Sequence, residues 1–419
     1  MSKYVIEGNA KLHGEVTISG NKNATFPCIA AALLTSDEVI LENIPKIRDI
    51  DVMVEILGEL GVSVLYEDHR LVIHASEIST HYLNQKLTTR LRGAILFAGA
   101  LLSRLGKVSF YHPGGDVIGK RPINFTTEGF EQLGYEVVRK DLAYEVEKKD
   151  TPYDDVSIYF PIPTVTGSEN IILASIKRKG KTTIKNCAQE PHVVDLCQML
   201  VSMGAQISGI GTSVVTITGV DMLSGTTYRI GSDNMEFGTY AVAAAITRGE
   251  ILIRNTEGMD NDPILHPLRK MGLQFEQKDD GILVRAGHLQ AIGSLTTGVW
   301  PGFPTDLMSV VIVLATQCEG VSLMHDWLYE SRMFFTDKLM SMGAHITIAD
   351  PHRVVIYGPC QLVGRTLETP DIRAGMAMVL AALVSEGTSE INRAELIERG
   401  YDNVVGNLNS LGAKITVVD

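Results

Sequence analysis

The stretch ELGVSVL (59–65) reads as the end of a helix, a glycine and the start of a strand, and it recurs five more times along the chain. The other copies are QLGYEVV (132–138), SMGAQIS (202–208), KMGLQFE (270–276), SMGAHIT (341–347) and SLGAKIT (410–416). Successive glycines are 73, 70, 68, 71 and 69 residues apart. Glycine suits the first position after a helix because it adopts a positive φ without strain. This spacing predicts six repeated α/β units, whereas the alternative is an ordinary α/β chain with accidental turns.

A second kind of helix, rich in Ala and Gly and apolar on nearly all sides, precedes each copy. A helix of this kind has to be buried. Each unit is therefore predicted to run strand, buried helix, strand, amphipathic helix and strand pair. The buried helices are predicted at NATFPCIAAALL (23–34), RLRGAILFAGALL (90–102), GSENIILASI (167–176), MEFGTYAVAAAI (235–246), TDLMSVVIVLAT (305–316) and IRAGMAMVLAAL (372–383).

A chain of 419 residues is too long for one ordinary core, so two domains are expected. Three units would close around buried helices in each domain, with a boundary near residue 230. The first domain is predicted to comprise 22–230. The second would combine 231–419 with 1–21, because YVIEG and LHGEVTISG read as strands that pair with the C-terminal unit.

Composition limits the classes of partner. The chain is 45% hydrophobic and 21% charged, with a net charge of −12, which disfavours nucleic acid as a partner. The first residues lack a signal-peptide core, and apolar runs fall short of the ~20 residues that span a membrane. Five widely spaced cysteines argue against a disulfide framework or a structural zinc site. We expect a cytoplasmic protein without a membrane partner; a monomer is compatible with the sequence, which does not set the oligomeric state.

Polar and charged residues recur where the buried helices are predicted to begin. Helix N-termini present unpaired N–H groups and a partial positive charge, which suits phosphates and carboxylates. One such residue alone is more often a cap or half of a surface ion pair. Their recurrence favours an anion site in the cleft between the domains. The residues are Lys22 and Asn23, Arg92, Ser168 with Glu169 and Asn170, Asp306, and Asp371 with Arg373.

The segment YHPGGDVIGKRP (111–122) combines backbone freedom at its glycines with fixed ends at its prolines. It carries Asp116, Lys120 and Arg121, so it could close over an anionic substrate as a lid. An exposed turn with solvated charges is the equal alternative. Arg332 and Arg399 are further cations outside the helix starts.

Seven motifs distributed over the chain resemble those of the UDP-N-acetylglucosamine 1-carboxyvinyltransferase family, within the superfamily of 5-enolpyruvylshikimate 3-phosphate (EPSP) synthases. The resemblance implies a two-domain inverted α/β prism of six repeated units, with the mobile lid 111–122 in the first domain and the active site in the cleft. The motifs are GEVTISGNKNA (14–24), ENIPKIRDID (42–51), PGGDVIGKRP (113–122), GFPTDL (302–307), ESRMF (330–334), DIRAG (371–375) and ERGYDN (398–403).

The resemblance also implies a reaction and its residues. Phosphoenolpyruvate would give its enolpyruvyl group to the 3′-hydroxyl of UDP-N-acetylglucosamine, with release of phosphate and without metal or organic cofactor, as the first committed step of peptidoglycan synthesis. The residues matched to catalysis are Asp116, Asp306, Lys22 and Arg399. Asp306 matches the base and Asn23 a residue that orients the sugar. The remaining substrate-binding positions are Arg92, Arg121, Pro122, Ile123, Asn124, Phe125, Leu328, Arg332, Asp371 and Arg373.

Asp116 stands where most of this family carries a cysteine, which acts as general acid and is the thiol alkylated by fosfomycin. We interpret Asp116 as a replacement acid. It has to be protonated to deliver a proton although nearby arginines favour its carboxylate form. Activity should therefore decline toward alkaline pH, and Asp116→Asn should be severely impaired. A carboxylate is a poorer nucleophile than a thiolate, so fosfomycin tolerance is also expected.

Other departures from the family pattern concern the acceptor. They are Asn124, Thr126, TVTGS (164–168) and Asn234. Two alternatives therefore stay open: an enolpyruvyl transferase acting on another nucleotide such as UMP, and a non-catalytic paralogue that binds sugar nucleotide. The joint presence of Lys22, Asp306 and Arg399 argues against the paralogue, because binding alone needs no base.

Overall fold

A computed structural model describes residues 2–116, 118–149 and 155–418. Its strands are β1 (Lys3–Glu7), β2 (His13–Thr17), β3 (Glu38–Glu42), β4 (Ser63–Glu67), β5 (Arg70–His74), β6 (Lys107–Tyr111), β7 (Tyr135–Lys140), β8 (Ala143–Lys148), β9 (Val156–Tyr159), β10 (Lys181–Lys185), β11 (Gln206–Ser208), β12 (Val214–Thr218), β13 (Thr226–Arg229), β14 (Glu250–Arg254), β15 (Leu273–Lys278), β16 (Gly281–Ala286), β17 (Ser294–Thr296), β18 (Gly320–His325), β19 (His345–Asp350), β20 (Arg353–Gly358), β21 (Thr366–Glu368), β22 (Thr388–Asn392) and β23 (Lys414–Val418).

The helices alternate with these strands. They are α1 (Lys22–Ala31), α2 (Arg48–Glu59), α3 (Gln85–Thr88), α4 (Leu96–Leu105), α5 (Asn124–Gln132), α6 (Val165–Ser175), α7 (Pro191–Ser202), α8 (Asn234–Ile246), α9 (Asp262–Lys270), α10 (Thr305–Thr316), α11 (Thr336–Ser341), α12 (Ile372–Val384) and α13 (Val404–Ser410). Short 3₁₀ turns cover Ala32–Leu34, Arg92–Ile95 and Ala394–Arg399.

The chain divides into two compact units. The first unit contains residues 20–115 and 121–231, and the second contains residues 1–19, 116–120 and 232–419. Each unit has a hydrophobic core of its own, built from its own helices and from the inner faces of its own sheets.

The sheets share one plan, in which a parallel pair is extended by two antiparallel strands. Five sheets of the described chain follow it in full, with the orders β13-β3-β5-β4, β9-β10-β12-β11, β2-β14-β16-β15, β17-β18-β20-β19 and β21-β22-β1-β23. The sixth, β6-β8-β7, has three strands. A single parallel bridge between Tyr82 and Ser109 stands where its fourth strand would be. This repetition confirms the predicted six units.

The two sequence signatures that predicted the units both have their expected structure. The six repeated glycines follow α2, α5, α7, α9, α11 and α13, and their φ angles lie between 83° and 104°. The apolar segments form α1, α4, α6, α8, α10 and α12, in which nearly every residue is buried. Burial on all sides explains why these helices lack a polar face.

The first strands of the chain lie in the second unit. β1 is central in its sheet, antiparallel to both β22 and β23. β2 runs parallel to β14, so it pairs with the fourth unit and not, as expected, with the C-terminal unit. Residues near the start of the chain therefore complete sheets formed by its second half.

Packing inside the first unit explains why Ser168 and Asn170 are polar, although not Glu169, whose Oε1 is buried without a hydrogen-bond partner among the described residues. We expected these residues at an open helix start, but they lie about one turn inside α6 and are buried, which corrects that expectation. The Asn170 Oδ1 accepts a hydrogen bond of 2.9 Å from the Gly99 backbone on α4. The Ser168 hydroxyl accepts one from Ala188. These side chains join elements of the first unit, and Thr164 is the residue that caps α6.

Two further observations concern side chains and helix length. All five cysteines are buried free thiols. Within the part of the chain that the structure describes, no helix is both long and apolar enough to cross a membrane.

Candidate active site

Two buried helices of the second unit position a carboxylate and a guanidinium at their first turns. Asp306 is the second residue of α10, and Arg373 is the second residue of α12. The Asp371 side chain caps α12 by accepting hydrogen bonds from the backbone of Arg373 (2.9 Å) and Ala374 (3.0 Å). The cap fixes where α12 begins and therefore which face carries Arg373.

Asp306 binds two arginines at once. Its Oδ1 lies 2.9 Å from Arg332 Nη2, and its Oδ2 lies 3.0 Å from Arg373 Nε. The side chains of Arg332 and Arg373 are 2% and 5% exposed, whereas Asp306 is 29% exposed. We call these three residues the Asp306 cluster. It holds two buried positive charges against one carboxylate that solvent can reach.

Each of the two guanidiniums has a nitrogen that is not used in the contacts with Asp306. Arg332 Nε and Arg373 Nη1 are buried and have no hydrogen-bond partner among the described residues. The guanidiniums also lie over aromatic rings, Arg332 over Tyr329 at 5.5 Å and Arg373 over Tyr401 at 5.0 Å. Unpaired donors on buried cations are costly, so this arrangement suits an anion with several oxygens.

The charge balance shifts the pKa of the neighbouring groups. Burial acts to lower the pKa of Arg332, but the carboxylates of Asp306, Asp371 and Asp326 outweigh burial and raise it. Burial raises the pKa of Asp371, against the opposing effect of Arg332. The guanidiniums therefore stay charged throughout the physiological range.

Asp116 and residues 118–120 also belong to the second unit, and three contacts hold them there. Asp116 Oδ1 lies 3.0 Å from Arg399 Nη1, with exposures of 18% and 20%. The Lys120 backbone N–H donates to the Glu330 side chain (3.0 Å), and the Ser331 N–H donates to the Ile118 carbonyl (3.1 Å). Asp116 thus lies in a partly solvated ion pair at a defined position.

In the first unit, Lys22 is the first residue of α1, which the Asn21 side chain caps through the Ala24 N–H. Lys22 Nζ lies 2.7 Å from Asp49 Oδ2, and the two side chains are only 10% and 3% exposed. The Lys22 ammonium also lies 5.7 Å from the centroid of the Phe26 ring. Lys22 is therefore a nearly buried cation with a fixed direction.

Arg92 and Arg121 lie on either side of one glycine. A Cβ added at Gly115, which has φ of +115°, would be 3.0 Å from Arg92 Cβ and 3.2 Å from Arg121 Nη1. Arg92 Nη2 donates to the Pro122 carbonyl at 3.1 Å. The positive φ and the lack of space explain why this position is glycine.

Residues 122–125, which follow Arg121, lead into helix α5. Ile123 precedes α5 and is buried, while Asn124 is exposed and its side chain donates to Glu128 at 3.4 Å. The Phe125 ring packs edge-on against Phe160, with centroids 6.5 Å apart.

The remaining predicted positions differ in exposure. Asn23 and Leu328 are half-buried. Thr126 and Asn234 are buried and Thr164 caps α6, so these departures from the family pattern include structural positions.

Within each unit the structure brings together several of the predicted residues. Asp306, Arg332, Arg373 and Asp371 form one group, Asp116 and Arg399 a second, and Arg92, Arg121 and Pro122 a third. Sequence reasoning missed Asp49 and Glu330 as partners, although both lie inside motifs that carried the resemblance. It also missed the rings of Tyr329 and Tyr401 beneath the arginines, although Tyr401 lies inside the motif ERGYDN.

Known proteins match the chain over nearly its whole length. The family model described as EPSP synthase (3-phosphoshikimate 1-carboxyvinyltransferase) matches residues 6–408. A UDP-N-acetylglucosamine 1-carboxyvinyltransferase from Borrelia garinii is 44% identical over 429 residues, which covers 100% of this chain and 99% of that protein. The protein of the same name from Treponema denticola is 42% identical over 424 residues and covers 99% of both.

Solved structures share the fold at lower identity. The enolpyruvyl transferase NikO from Streptomyces tendae has a TM-score of 0.89 at 22% identity, covering 100% of this chain and 99% of that one. EPSP synthase from Acinetobacter baumannii has a TM-score of 0.78 at 17% identity, covering 100% of both chains. These likenesses confirm the predicted two-domain α/β fold, and the full-length identity above shows that the chain belongs to the EPSP synthase family and, within it, to the UDP-N-acetylglucosamine 1-carboxyvinyltransferases.

Proposed function

We propose that the chain transfers the enolpyruvyl group of phosphoenolpyruvate to the 3′-hydroxyl of UDP-N-acetylglucosamine and releases phosphate. The observation that carries the proposal is the series of relatives of that name, 38–44% identical over almost their entire length. The reaction would be the first committed step of peptidoglycan synthesis in the cytoplasm. It would thereby contribute to the cell wall, cell shape and cell division.

The chemistry has two steps that the residues must serve. In the first, the acceptor oxygen bonds to C2 of phosphoenolpyruvate, C3 takes up a proton and the acceptor hydroxyl loses one. In the second, C3 loses a proton, the bond from C2 to the phosphate oxygen breaks, and phosphate leaves. The site therefore needs an acid for C3, a base for the hydroxyl, and cations for the phosphate and carboxylate.

The buried cations supply the charge. Arg332 and Arg373 in the second unit keep buried N–H donors, which would bind oxyanions of the substrate through short charge-assisted hydrogen bonds. Lys22 in the first unit would bind substrate as a point charge. Arg92, Arg121 and Arg399 would add further oxyanion contacts.

Asp306 is proposed to accept the hydroxyl proton. Its carboxylate is the only member of the Asp306 cluster with substantial solvent access, so an acceptor hydroxyl can approach it. Two guanidiniums hold it in position but also weaken it as a base. We therefore propose that oxyanions of bound substrate draw the arginines toward themselves and leave Asp306 free to take the proton.

Asp116 is proposed to deliver the proton to C3. Its contact with Arg399 and the anchoring of residues 116–120 by Glu330 and Ser331 support a fixed acid on a short segment. Replacing it by asparagine keeps the shape but removes the transferable proton, so turnover should fall by roughly 10²–10⁴-fold. Asp337→Asn, an exposed residue of the second unit, is the matched control. An Asp116→Asn enzyme with full activity would remove this role.

The same position is proposed to confer tolerance to fosfomycin. Wild-type protein should show no covalent adduct after incubation with the drug. Asp116→Cys should form one, because a thiolate beside Arg399 is a far better nucleophile than a carboxylate. An adduct on Asp116 in the wild-type protein would contradict the proposal.

The deciding experiment measures phosphate release and product mass after mixing the protein with phosphoenolpyruvate and either UDP-N-acetylglucosamine or UMP. Release with the sugar nucleotide, and a product heavier by one enolpyruvyl group, is the expected result. Release with UMP alone would favour the second candidate, which the departures at Asn124, Thr126, 164–168 and Asn234 motivate. No release with either acceptor would favour a non-catalytic sugar-nucleotide-binding protein.

A further inference from the structure

The first unit contains a second basic region that the proposed reaction does not use. It is a cavity of about 510 Å³ at the C-terminal ends of α4, α5 and α6. Among the described residues, the charged side chains lining it are Arg104, Lys148, Lys149, Lys177 and Arg178, with Asp155 as the one carboxylate. We call this the basic cavity. Such an excess of cations is notable in a chain with 37 Lys and Arg against 49 Asp and Glu.

The basic cavity lies away from the residues assigned to the reaction. Arg92 precedes α4 and Thr164 caps α6, whereas the cavity is lined where these helices end, at Leu105 and Ala174. An eleven-residue helix such as α6 is about 16 Å long. A ligand in the cavity would therefore contact none of the proposed catalytic residues of this unit.

Part of the positive charge has a structural purpose. Helix ends leave carbonyl groups without partners, and cations or hydroxyls commonly bind them. Arg178 Nε donates to the Leu133 carbonyl at the end of α5 (3.3 Å), whereas Arg104 Nη2 donates to the Ala75 carbonyl just after β5 (3.3 Å). The Tyr135 hydroxyl donates a second hydrogen bond (3.4 Å) to the Leu102 carbonyl, which also accepts the Gly106 N–H. These contacts account for the two arginines but not for Lys177.

Lys177 has no such purpose. It is half-buried, and its backbone N–H donates to the Ser103 hydroxyl at 3.3 Å. Among the described residues, its ammonium has no hydrogen-bond or ion-pair partner. Burial lowers the pKa of Lys177, and the neighbouring Arg104 lowers it further. A partly desolvated ammonium beside a second cation is unfavourable, and an anion in the cavity would relieve both effects.

The charges are graded from the surface inward. Lys148, Lys149 and Asp155 are exposed, Lys177 and Arg104 are half-buried, and Arg178 is buried. Exposed lysines would attract an anion from solution, and the inner cations would hold it with less screening. The volume falls within the range of small-molecule sites, roughly 300–1,000 Å³.

We propose that the basic cavity binds a phosphoryl group, with Lys177 as the principal contact. A doubly charged phosphate matches several converging cations better than a single carboxylate does. The phosphoryl group can belong to inorganic phosphate or to a phosphorylated small molecule, whose organic part would occupy the rest of the cavity. The inference concerns a different part of the chain from the reaction above and does not depend on it.

The test compares Lys177→Gln with Lys179→Gln in the full chain. Lys179 is an exposed lysine two residues further along that does not line the basic cavity, so both variants lose the same charge. Calorimetric titrations would use inorganic phosphate and glucose 1-phosphate as probes, at constant ionic strength set with chloride. Thermal melts in the absence of phosphate establish that both variants are folded.

The expected result is a binding event in the wild-type and Lys179→Gln proteins that Lys177→Gln weakens roughly tenfold to a hundredfold. Turnover measured without added phosphate should be the same in all three proteins. Equal affinity for the two probes would identify free phosphate as a sufficient ligand, and tighter binding of the ester would indicate contacts with its organic part. Titrations that are identical for the wild-type and Lys177→Gln proteins, or a Lys179→Gln loss as large as that of Lys177→Gln, would overturn the proposal.

Discussion

Replacing Asp306 by asparagine tests whether the Asp306 cluster is held together by charge. The substitution keeps the size of the side chain but removes the only carboxylate that directly contacts both Arg332 and Arg373 in the cluster. Removing one partner of a buried ion pair costs roughly 3–5 kcal/mol, because the other charge stays buried. Asp306 is 29% exposed, so water can replace part of the interaction. We therefore expect the substitution to lower the free energy of unfolding by about 3 kcal/mol, the lower end of that range.

That loss is large enough to measure by thermal denaturation. In a unit of about 200 residues, 1 kcal/mol shifts Tm by roughly 2–4 °C, so the variant should melt about 6–12 °C lower in phosphate-free buffer. Asp337→Asn is the control: its pair with Lys338 is 56% and 38% exposed, and it should change stability by less than about 0.5 kcal/mol.

Added phosphate provides the sharper criterion. If the two guanidiniums lose their shared carboxylate in Asp306→Asn, a phosphate can lie between them and restore part of the lost stability. Phosphate should therefore raise Tm more in this variant than in the wild-type protein or in Asp337→Asn. The reasoning would be refuted if Asp306→Asn had the same Tm as Asp337→Asn, or if phosphate raised the Tm of the two variants equally. Either result would show that the Asp306 cluster is not maintained by this charge balance.

Two further predictions concern packing and pH. Gly99→Ala should destabilise the protein by roughly 1–3 kcal/mol in chemical denaturation, because its Cβ would lie 2.4 Å from the Asn170 carbonyl oxygen. Gly58→Ala, with no atom within 4 Å, should instead be neutral or stabilise α2; equal effects at the two sites would contradict the close helix packing. For pH, burial and then the charge of Asp233 raise the pKa of Glu236 from 4.5 to about 8. Between pH 4.5 and 8, Glu236 is therefore protonated in the folded protein but ionised in the unfolded chain. The free energy of unfolding should consequently fall by a few kcal/mol as the pH rises through this range. Glu236→Gln should abolish most of this fall, and an unchanged pH profile in denaturant titrations would disprove the assignment.

Sequence periodicity was sufficient to predict the fold because the same pattern, an apolar helix followed by an amphipathic helix that ends at a glycine, occurs six times. The buried helices were predicted within about three residues, except that α4 begins at Leu96, after the 3₁₀ turn Arg92–Ile95, and not at residue 90. α12, for example, begins at Ile372 as expected and ends at Val384 instead of residue 383. The polar triad at 168–170 was placed wrongly. Side chains that serve the close packing of α4 on α6 have the same composition as side chains at a helix start, and only the three-dimensional packing distinguishes them.

The sequence predicted which residues belong to the candidate site, but it did not predict which residues pair with them through ion pairs and hydrogen bonds. Asp49 lies on an amphipathic helix whose acidic first turn would be expected at the surface, yet packing of α2 against α1 buries it beside Lys22. Likewise, nothing local to Glu330 indicates that it accepts a hydrogen bond from a backbone N–H 210 residues away. Pairings at such separations arise only once the chain has folded.

The position of β1 between β22 and β23 has a consequence for synthesis on the ribosome. Glu7 pairs with Thr388 and Lys414, so this strand leaves the ribosome long before either neighbour exists. At roughly 5–20 residues per second, the wait is on the order of 20–80 s. In the first unit the wait is shorter, because residues 20–231 contain all the strands of its sheets and β3, which waits for β13, already has β5 as a neighbour. During translation the nascent chain therefore carries β1 as an unpaired strand until β22 and β23 have been made, and such a strand is a natural target for a chaperone.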